Sequence, residues 1–342
     1  MNSLCCPECF GDRGLRKNII PTLNPTKGTC SYCSANAVDL VAPSSLAEYF
    51  EMLIGIYEIN PNGKSLVELL KEDWLLFPTL DNAHAKELLA DIFDDGDIVR
   101  KPFSPSPAFK SEGLARWATL RDELMFKNRY FLDEALDGDR LKELLDHLQA
   151  DDLPTEWFRA RISIGDTPYS LGEMGAPPRH LATHGRANPT GIPYLYLGSL
   201  PNTAVAEIRP HTGEVASVAR FQLIRHIQAV DLRNPRKLAS PFILEDASEI
   251  GQLRADIPFL EKLGSELTRP VLPRSAAIDY LPSQYLCEFI KKKGYDGVAY
   301  RSSVSSGINL ALFNPADAAA VDVALYSVDR VSVDVVRREF GI

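Results

Sequence analysis

The segment GRANPTGIPYLYLGSLPNTAVAEIRP, residues 185–210, indicates the fold class of the C-terminal part of the chain. Its glycines and prolines predict a sharply turned loop, YLYL at 194–197 predicts a strand, and TAVAEI at 203–208 predicts a helix. Strands and helices continue to mix after Pro154 without strict βαβ alternation, which favours an α+β domain. The other predicted strands are 215–223, 229–232, 297–300, 309–313 and 321–326, and further helices are predicted at 247–266 and 283–293.

The composition is that of a globular protein with two or three domains. The chain has 342 residues, of which 45% are hydrophobic and 24% charged, and its net charge is −9. That charge opposes general binding to a phosphate backbone, so nucleic acid is not indicated as a partner. No run approaches the roughly 18 apolar residues of a membrane span, and the N-terminus lacks a signal-peptide pattern. We therefore expect no membrane association and a cytoplasmic location.

The N-terminal cysteines predict a zinc site. Cys6 and Cys9 form one C-x-x-C pair, and Cys30 and Cys33 form a second. Four thiolates presented in pairs suit tetrahedral Zn²⁺, and a reducing cytosol favours metal over disulfides. Because four cysteines leave no open coordination position, the predicted role is structural. Cys5 is either spare or takes the place of Cys6.

Residues 43–150 predict a small helical bundle. Ser45 and Ser65 each precede a glutamate by three residues, the pattern of a capping box, and Asp81 is a candidate N-cap for a third helix. Further helices are expected at 112–127 and 133–149, separated from the first three by a proline-rich loop at 95–111. Arg140 and His147 loosely resemble the R-x(4–6)-H pattern of HEPN ribonucleases, although a structural role is the favoured interpretation.

Four segments of the C-terminal part concentrate polar residues that a plain core would avoid. They are EWFRAR at 156–161, GRANP at 185–189, YLY at 194–196 with Glu207, and YRSS at 300–303 followed by Asn309. An arginine fork suits phosphate oxygens, a tyrosine offers a face to a flat ring, and a carboxylate stabilises positive charge on a sugar carbon.

Glu207 is the single acid of the apolar run TAVAEI. Burial of an unpaired carboxylate is costly, so an acid embedded in such a helix must be paired or functional. The functional interpretation places it in a binding pocket. The alternative is that Glu207 forms a structural ion pair with Arg209 or Arg161.

Together WFRARI, GRANPTGIPYLYLGS, TAVAEIRP and GYDGVAYRSS…GINLALFNP resemble the RES-domain family over about 155–330. The resemblance implies an α+β fold related to ADP-ribosyltransferase toxins. It also implies breakdown of NAD⁺ with release of nicotinamide, with water, phosphate or a protein as acceptor. Short members of the family are toxins neutralised by an antitoxin. The expected domains are a zinc ribbon at 1–42, a HEPN-like helical domain at 43–150 and a RES domain at 151–342.

The resemblance also implies roles for individual residues. It assigns catalysis to Glu207, Arg186 and Ser302, and substrate binding to Arg159, Arg161, Tyr196, Asn188 and Ser303. Arg161 is the alternative to Arg159, and Ser303 the alternative to Ser302. Two departures from the family pattern are Ala187, where many members carry Trp, and Arg301, where short members carry Pro before the serine.

Three functional hypotheses follow from these residues. The first is an NAD⁺ glycohydrolase or phosphorylase that acts as a toxin or defence effector. The second is an ADP-ribosyltransferase acting on a protein through the same pocket. The third is a non-enzymatic sensor with a degenerate RES scaffold. Either an inhibitory antitoxin or the N-terminal 150 residues themselves are expected to restrain the enzyme. The N-terminal region is also the expected contact for an antitoxin or sensor partner, and a homodimer is left open.

Overall fold

The structure is a computed structural model that describes residues 3–133, 135–332, 335 and 337. The chain folds into two compact units. The first comprises Met1–Glu123, Asn128–Leu148 and Asn234–Lys262, and the second comprises Leu124–Lys127, Gln149–Arg233 and Leu263–Ile342. The first unit thus includes a segment that the sequence assigns to the RES domain. The expected domain limits at 42 and 150 stay a prediction.

The chain up to residue 148 holds six α-helices and four strands among its described residues. They are α1 (Pro7–Phe10), β1 (Thr26–Gly28), β2 (Val38–Leu40), α2 (Ala47–Ile54), β3 (Tyr57–Ser65), α3 (Leu66–Trp74), α4 (Asn82–Phe93), β4 (Pro102–Pro105), α5 (Gly113–Phe126) and α6 (Gly138–Asp146). β1 pairs with β2, and β3 pairs with β4, both antiparallel. The predicted helical region therefore also contains a small two-stranded sheet.

Two of the three predicted helix starts are confirmed. Ser65 forms a full capping box with Glu68 at the start of α3. At the start of α4, the Asp81 side chain accepts a hydrogen bond from the His84 N–H. Both caps satisfy a backbone N–H that would otherwise lack a partner in the first turn.

The capping box predicted at Ser45 is wrong. Ser45 lies in a 3-10 turn, Pro43–Leu46, that precedes α2. Its hydroxyl donates to the Ala42 carbonyl at 2.6 Å and so is turned back along the chain. As a result, α2 begins without a side-chain cap.

The chain from residue 149 onward confirms the α+β class. The elements are β5 (Glu156–Ile162), β6 (Leu195–Gly198), α7 (Pro201–Glu207), β7 (Val215–Leu223), β8 (Ala229–Asp231), α8 (Pro235–Leu238), α9 (Ala247–Thr268), α10 (Ala276–Asp279), α11 (Leu281–Lys292), β9 (Gly297–Arg301), β10 (Ile308–Leu312) and β11 (Ala318–Ser327). Seven strands form one sheet in the order β11-β7-β5-β6-β10-β9-β8. The β8–β9 pair is parallel, and the other neighbouring pairs are antiparallel.

Strand alternation divides this sheet into two faces. Buried side chains that include Trp157, Leu197 and Leu310 form a core cluster, while Ala160 of β5 packs with Ala204 of α7 in a second cluster. Because successive side chains of a strand point to opposite faces, α7 covers the face of β5 opposite the Trp157 core. This packing holds α7 on the sheet and sets the position of its last residue.

Candidate functional site

A cavity of about 430 Å³ lies in the second unit. Its size falls within the range of small-molecule sites. Among the described residues, its lining combines three arginines, one carboxylate and several aromatic rings. The polar and aromatic lining residues include Arg159, His184, Arg186, Tyr196, Glu207, Arg209, Tyr280, Tyr300, Ser303 and Asn309. The four polar segments of the sequence therefore meet at one place.

Glu207 is the only carboxylate among the described residues that line this cavity. It is exposed at the C-terminal end of α7, whereas Thr203 and Ala204 are the buried residues of that helix. Its Oε1 accepts hydrogen bonds from the Ser302 hydroxyl at 2.7 Å and the Asn309 amide at 2.6 Å. Glu207 is therefore open to the cavity. Its sequence context indicated instead that it would be embedded in an apolar helix.

The predicted alternative for Glu207, an ion pair, does not occur within the described chain. Arg161 donates to the Glu173 carbonyl at 2.6 Å. Arg209 donates to the Val271 carbonyl at 3.5 Å. Both arginines thus use backbone carbonyls, and the negative charge of Glu207 remains available to a ligand.

The loop between β9 and β10 holds Ser302 in place. The Ser302 hydroxyl accepts from the Val304 and Ser305 N–H groups at 3.2 and 3.1 Å. The loop also rests on α7, because the Ser305 hydroxyl donates to the Thr203 hydroxyl at 3.1 Å. A Cβ at Gly307 would overlap the Thr203 hydroxyl, so a larger residue there would displace the loop.

Arg159 is a half-buried cation without a carboxylate partner among the described residues. Its Nη1 donates to the Tyr196 carbonyl at 3.2 Å, and its buried Nε has no hydrogen-bond partner. Burial lowers the pKa of its guanidinium, and the nearby charge of Arg161 acts in the same direction. A buried, incompletely paired guanidinium beside a cavity is suited to binding an anion.

Arg186 reaches the cavity from a loop anchored to α11. The Ser283 hydroxyl donates to the Arg186 carbonyl at 2.6 Å. The Arg186 guanidinium donates to the Arg269 carbonyl at 2.8 Å and lies 5.3 Å from the ring centroid of Tyr280. The side chain is therefore placed without being neutralised by an acid in the described structure.

Tyr196 and Asn188 hold this loop in place beside the cavity. The Tyr196 hydroxyl accepts from the Ala187 and Asn188 N–H groups and donates to the Asn188 side-chain oxygen at 2.8 Å. Burial raises the pKa of Tyr196. The Tyr196 ring lines the cavity, but its hydroxyl is already used by the loop. The Asn188 amide donates to three backbone carbonyls, those of Thr183, Pro189 and Ile192.

The structure does not bring every predicted site residue to the cavity. Ser302 is not among the described lining residues, but its hydroxyl contacts Glu207, which does line the cavity. Asn188 and Arg161 are absent from the described lining: Asn188 holds the loop, and the Arg161 guanidinium lies 4.6 Å from the ring centroid of Tyr169. The predicted site residues that do line the cavity are Arg159, Arg186, Tyr196, Glu207 and Ser303.

Five lining residues were assigned no catalytic or substrate-binding role from the sequence: His184, Arg209, Tyr280, Tyr300 and Asn309. Tyr300 is 4% exposed, and burial raises its pKa well above the usual value. Tyr300 and Asn309 stand opposite each other in the β9–β10 register. Their position beside the serine motif was the available signal, whereas nothing in the sequence distinguishes Tyr280 or His184.

The four predicted metal ligands lie together in the first unit. The Sγ atoms of Cys6, Cys9, Cys30 and Cys33 are all within 4.8 Å of one another. The Cys6–Cys9, Cys6–Cys33 and Cys9–Cys30 sulfur separations are 3.9, 3.5 and 3.3 Å. A tetrahedron with Zn–S bonds of about 2.3 Å has sulfur separations of about 3.8 Å. The group therefore has the donors and the spacing to hold a zinc ion.

Cys5 is outside this group, which resolves the alternative that the sequence left open. It forms an antiparallel bridge with Val41, with both backbone hydrogen bonds at 3.0 Å. Its thiol donates to the Val41 carbonyl at 3.6 Å, and burial raises its pKa. Cys5 is the spare cysteine, and its bridge joins the first cysteine pair to the end of the β1–β2 hairpin that carries the second.

Arg140 forms an ion pair within the first unit. Its Nη2 lies 2.8 Å from Oδ2 of the buried Asp256, and its Nη1 lies 3.1 Å from Glu143. His147 is half-buried, and burial lowers its pKa. These contacts fit the structural interpretation of the Arg140–His147 pair.

Comparison with known proteins identifies the family. The model of the RES domain matches residues 156–334, more than half of the chain, and the chain belongs to the RES-domain family. A solved structure from M. tuberculosis, the MbcT-MbcA toxin-antitoxin complex, contains a chain that is 13% identical. The match covers 56% of this chain and 93% of that chain, with a TM-score of 0.32. No curated protein matches. None of the described helices is long and apolar enough to cross a membrane.

Proposed function

We propose that the cavity binds NAD⁺ and cleaves the bond between nicotinamide and ribose. One observation carries the proposal: Glu207 faces the same cavity as Arg159 and Arg186, and none of the three is neutralised by an opposite charge in the described structure. A ligand that complements this arrangement has an anionic part for the arginines and an electron-poor part for the carboxylate. NAD⁺ combines a diphosphate with a cationic pyridinium ribose.

In this proposal the site works by orientation and charge stabilisation. Arg159 and Arg186 bind the diphosphate through charge-assisted hydrogen bonds, and the Tyr196 ring packs on the nicotinamide or its ribose. Glu207, held by Ser302 and Asn309, faces the ribose and stabilises the positive charge that develops at C1′. The neighbouring serine, Ser303, lines the cavity itself.

The bonds and charges balance without a resident cofactor in the pocket. The C1′–N bond breaks with its electron pair going to the nicotinamide nitrogen, which leaves as a neutral molecule. Water adds through oxygen to C1′ and releases a proton, giving ADP-ribose. If inorganic phosphate replaces water, the product is ADP-ribose 1″-phosphate. If a protein side chain replaces it, the product is an ADP-ribosylated protein. The exposure of Glu207 leaves the reacting carbon within reach of solvent.

Product analysis tests the proposal. Purified protein is incubated with NAD⁺, with and without phosphate, and nicotinamide and the ribosyl products are separated by chromatography. We expect nicotinamide release, and Glu207→Gln lowers the rate by about 10²-fold, the usual loss when one electrostatic stabiliser is removed. Absence of nicotinamide release by the wild-type protein would refute the proposal. Transfer of label from NAD⁺ to protein in a lysate identifies the transferase alternative.

We further propose that the enzyme acts as a toxin or defence effector restrained by a partner protein. Membership of the RES-domain family is the support, together with the harm that unrestrained NAD⁺ consumption does to a cell. Expression of the wild-type protein should lower cellular NAD⁺ and arrest growth, whereas Glu207→Gln should not. Normal growth with normal NAD⁺ at matched expression would contradict this role.

The four-cysteine group is proposed to bind one structural zinc ion. Its four thiolates would complete the tetrahedral coordination shell, so the metal would stabilise the fold and take no part in the chemistry. Elemental analysis of the purified protein tests this, with one zinc per chain as the expected result.

A further inference from the structure

Asn309 is a polar residue of the cavity that was assigned no catalytic or binding role from the sequence, although it follows the serine motif. It is the second residue of β10 and is 5% exposed. Its neighbours Ile308 and Leu310 pack with the Trp157 core, so its own side chain points to the opposite face of the sheet. On that face it lines the cavity.

Asn309 and Ser302 act on one oxygen of Glu207. The Asn309 amide donates to Oε1 at 2.6 Å, and the Ser302 hydroxyl donates to the same atom at 2.7 Å. Oε2 accepts no hydrogen bond from a described residue. Two donors on one oxygen restrict rotation of the carboxylate and leave the second oxygen for a ligand.

The two donors flank the loop between β9 and β10, because Ser302 directly follows β9 and Asn309 is the second residue of β10. β9 and β10 pair from Ile308 with Arg301 to Leu312 with Gly297. The backbone N–H of the serine at 302 also donates to the carbonyl of the glycine at 307, at 3.0 Å. The position of Asn309 therefore depends on sheet pairing and not on its own rotamer alone, which suits a positioning role.

We propose that Asn309 is a positioning residue that orients Glu207 toward the ribose of the bound dinucleotide. The proposal rests on the proposed function for its substrate, but the contact itself is independent of any ligand. An ionised carboxylate cannot fill this role, because it has no proton to donate and would repel Glu207.

Asn309→Asp tests this chemistry with almost no change of shape. When the introduced carboxyl is protonated, it donates the same hydrogen bond, and when it is ionised, it repels Glu207. Two carboxylates that share a site have one pKa strongly raised. We therefore expect the ratio of kcat in the variant to kcat in wild type to fall roughly tenfold or more as pH rises from about 5 to 8.

Other charged and titratable groups share this cavity, so the comparison must hold them constant. His184 is the one histidine among the described residues that line the cavity. The pH profiles are therefore also measured in a His184→Gln background, where the difference between the Asn309→Asp variant and its parent should persist. Besides Glu207 and His184, the charged or titratable groups among the described lining residues are Arg159, Arg186, Tyr196, Arg209, Tyr280 and Tyr300.

Asn314→Asp is the matched control. Asn314 also donates to a carboxylate, Asp317 at 3.0 Å, but it is not among the described residues lining the cavity. This variant should show the wild-type pH profile. A flat profile for Asn309→Asp, or the same pH-dependent loss in Asn314→Asp, would overturn the proposal while NAD⁺ cleavage by the wild type stands.

A second measurement separates this inference from the proposed function. The ¹³C resonance of the Glu207 carboxyl, identified by its disappearance in Glu207→Gln, is followed by NMR in the ligand-free protein. In Asn309→Asp its dependence on pH should differ from that in wild type, because two carboxylates in contact share their protons. An unchanged dependence on pH in the variant refutes the positioning role even if NAD⁺ is not the substrate. Thermal unfolding confirms that each variant is folded.

Discussion

Replacing Arg159 with methionine is expected to stabilise the protein and to weaken its binding of NAD⁺. The buried Arg159 Nε lacks a partner, and relieving one unsatisfied buried donor gains about 1–3 kcal/mol. The substitution loses the 3.2 Å hydrogen bond to the Tyr196 carbonyl, at a cost of about 1 kcal/mol. Methionine keeps most of the apolar stem. The free energy of unfolding should therefore increase by about 1 kcal/mol, which raises Tm by roughly 2–4 °C for a domain of this size.

The binding effect has the opposite sign. A charge-assisted hydrogen bond to a phosphate oxygen is worth about 1.5–3 kcal/mol, so Kd for NAD⁺ should rise roughly 10- to 150-fold. Calorimetric titration in a Glu207→Gln background measures Kd without turnover, and differential scanning calorimetry measures Tm.

Arg161→Met is the matched control for this prediction. Arg161 lies two residues away on β5, but it contacts Tyr169 and the Glu173 carbonyl and is absent from the described lining of the cavity. Its removal should leave Kd unchanged and lower Tm slightly. A lower Tm together with an unchanged Kd in Arg159→Met would show that Arg159 is not an anion-binding residue.

Three further predictions concern the loop, the metal and a buried acid. Gly307→Ala places a Cβ against the Thr203 hydroxyl, so the loop should shift and steady-state kinetics should show kcat reduced about tenfold or more with little change in NAD⁺ affinity. Cys6→Ser should lose zinc and lower Tm, whereas Cys5→Ser should keep one zinc per chain by elemental analysis. Burial raises the pKa of Asp12, so its contribution to stability is fully present below the unfolded pKa of about 3.8 and is lost as pH rises through the folded value. The free energy of unfolding, measured in urea, should therefore increase in Asp12→Asn relative to wild type as pH rises from about 4 to 7. A difference between the two proteins that does not change with pH would contradict this.

Local sequence patterns predicted most of the secondary structure. The strand Val215–Leu223 has the predicted bounds, and the Ser65 and Asp81 caps begin the helices they were assigned to. These features depend on residues within one turn or one strand, where periodicity and capping act directly. The capping box predicted at Ser45 is wrong because Pro43 begins a 3-10 turn, in which the serine hydroxyl donates to a preceding backbone carbonyl.

The residue types of the site could be predicted from the sequence alone, because the four polar segments carry them. The contacts that each of these residues makes could not be predicted in this way. Arg159 and Arg161 are two residues apart on one strand, yet one lines the cavity and the other contacts a tyrosine ring. Glu207 owes its orientation to Asn309, which lies 102 residues away in sequence. Such contacts arise from the pairing of β9 with β10 and from the packing of α7 on β5. Local periodicity does not encode them, because they depend on which distant segments meet.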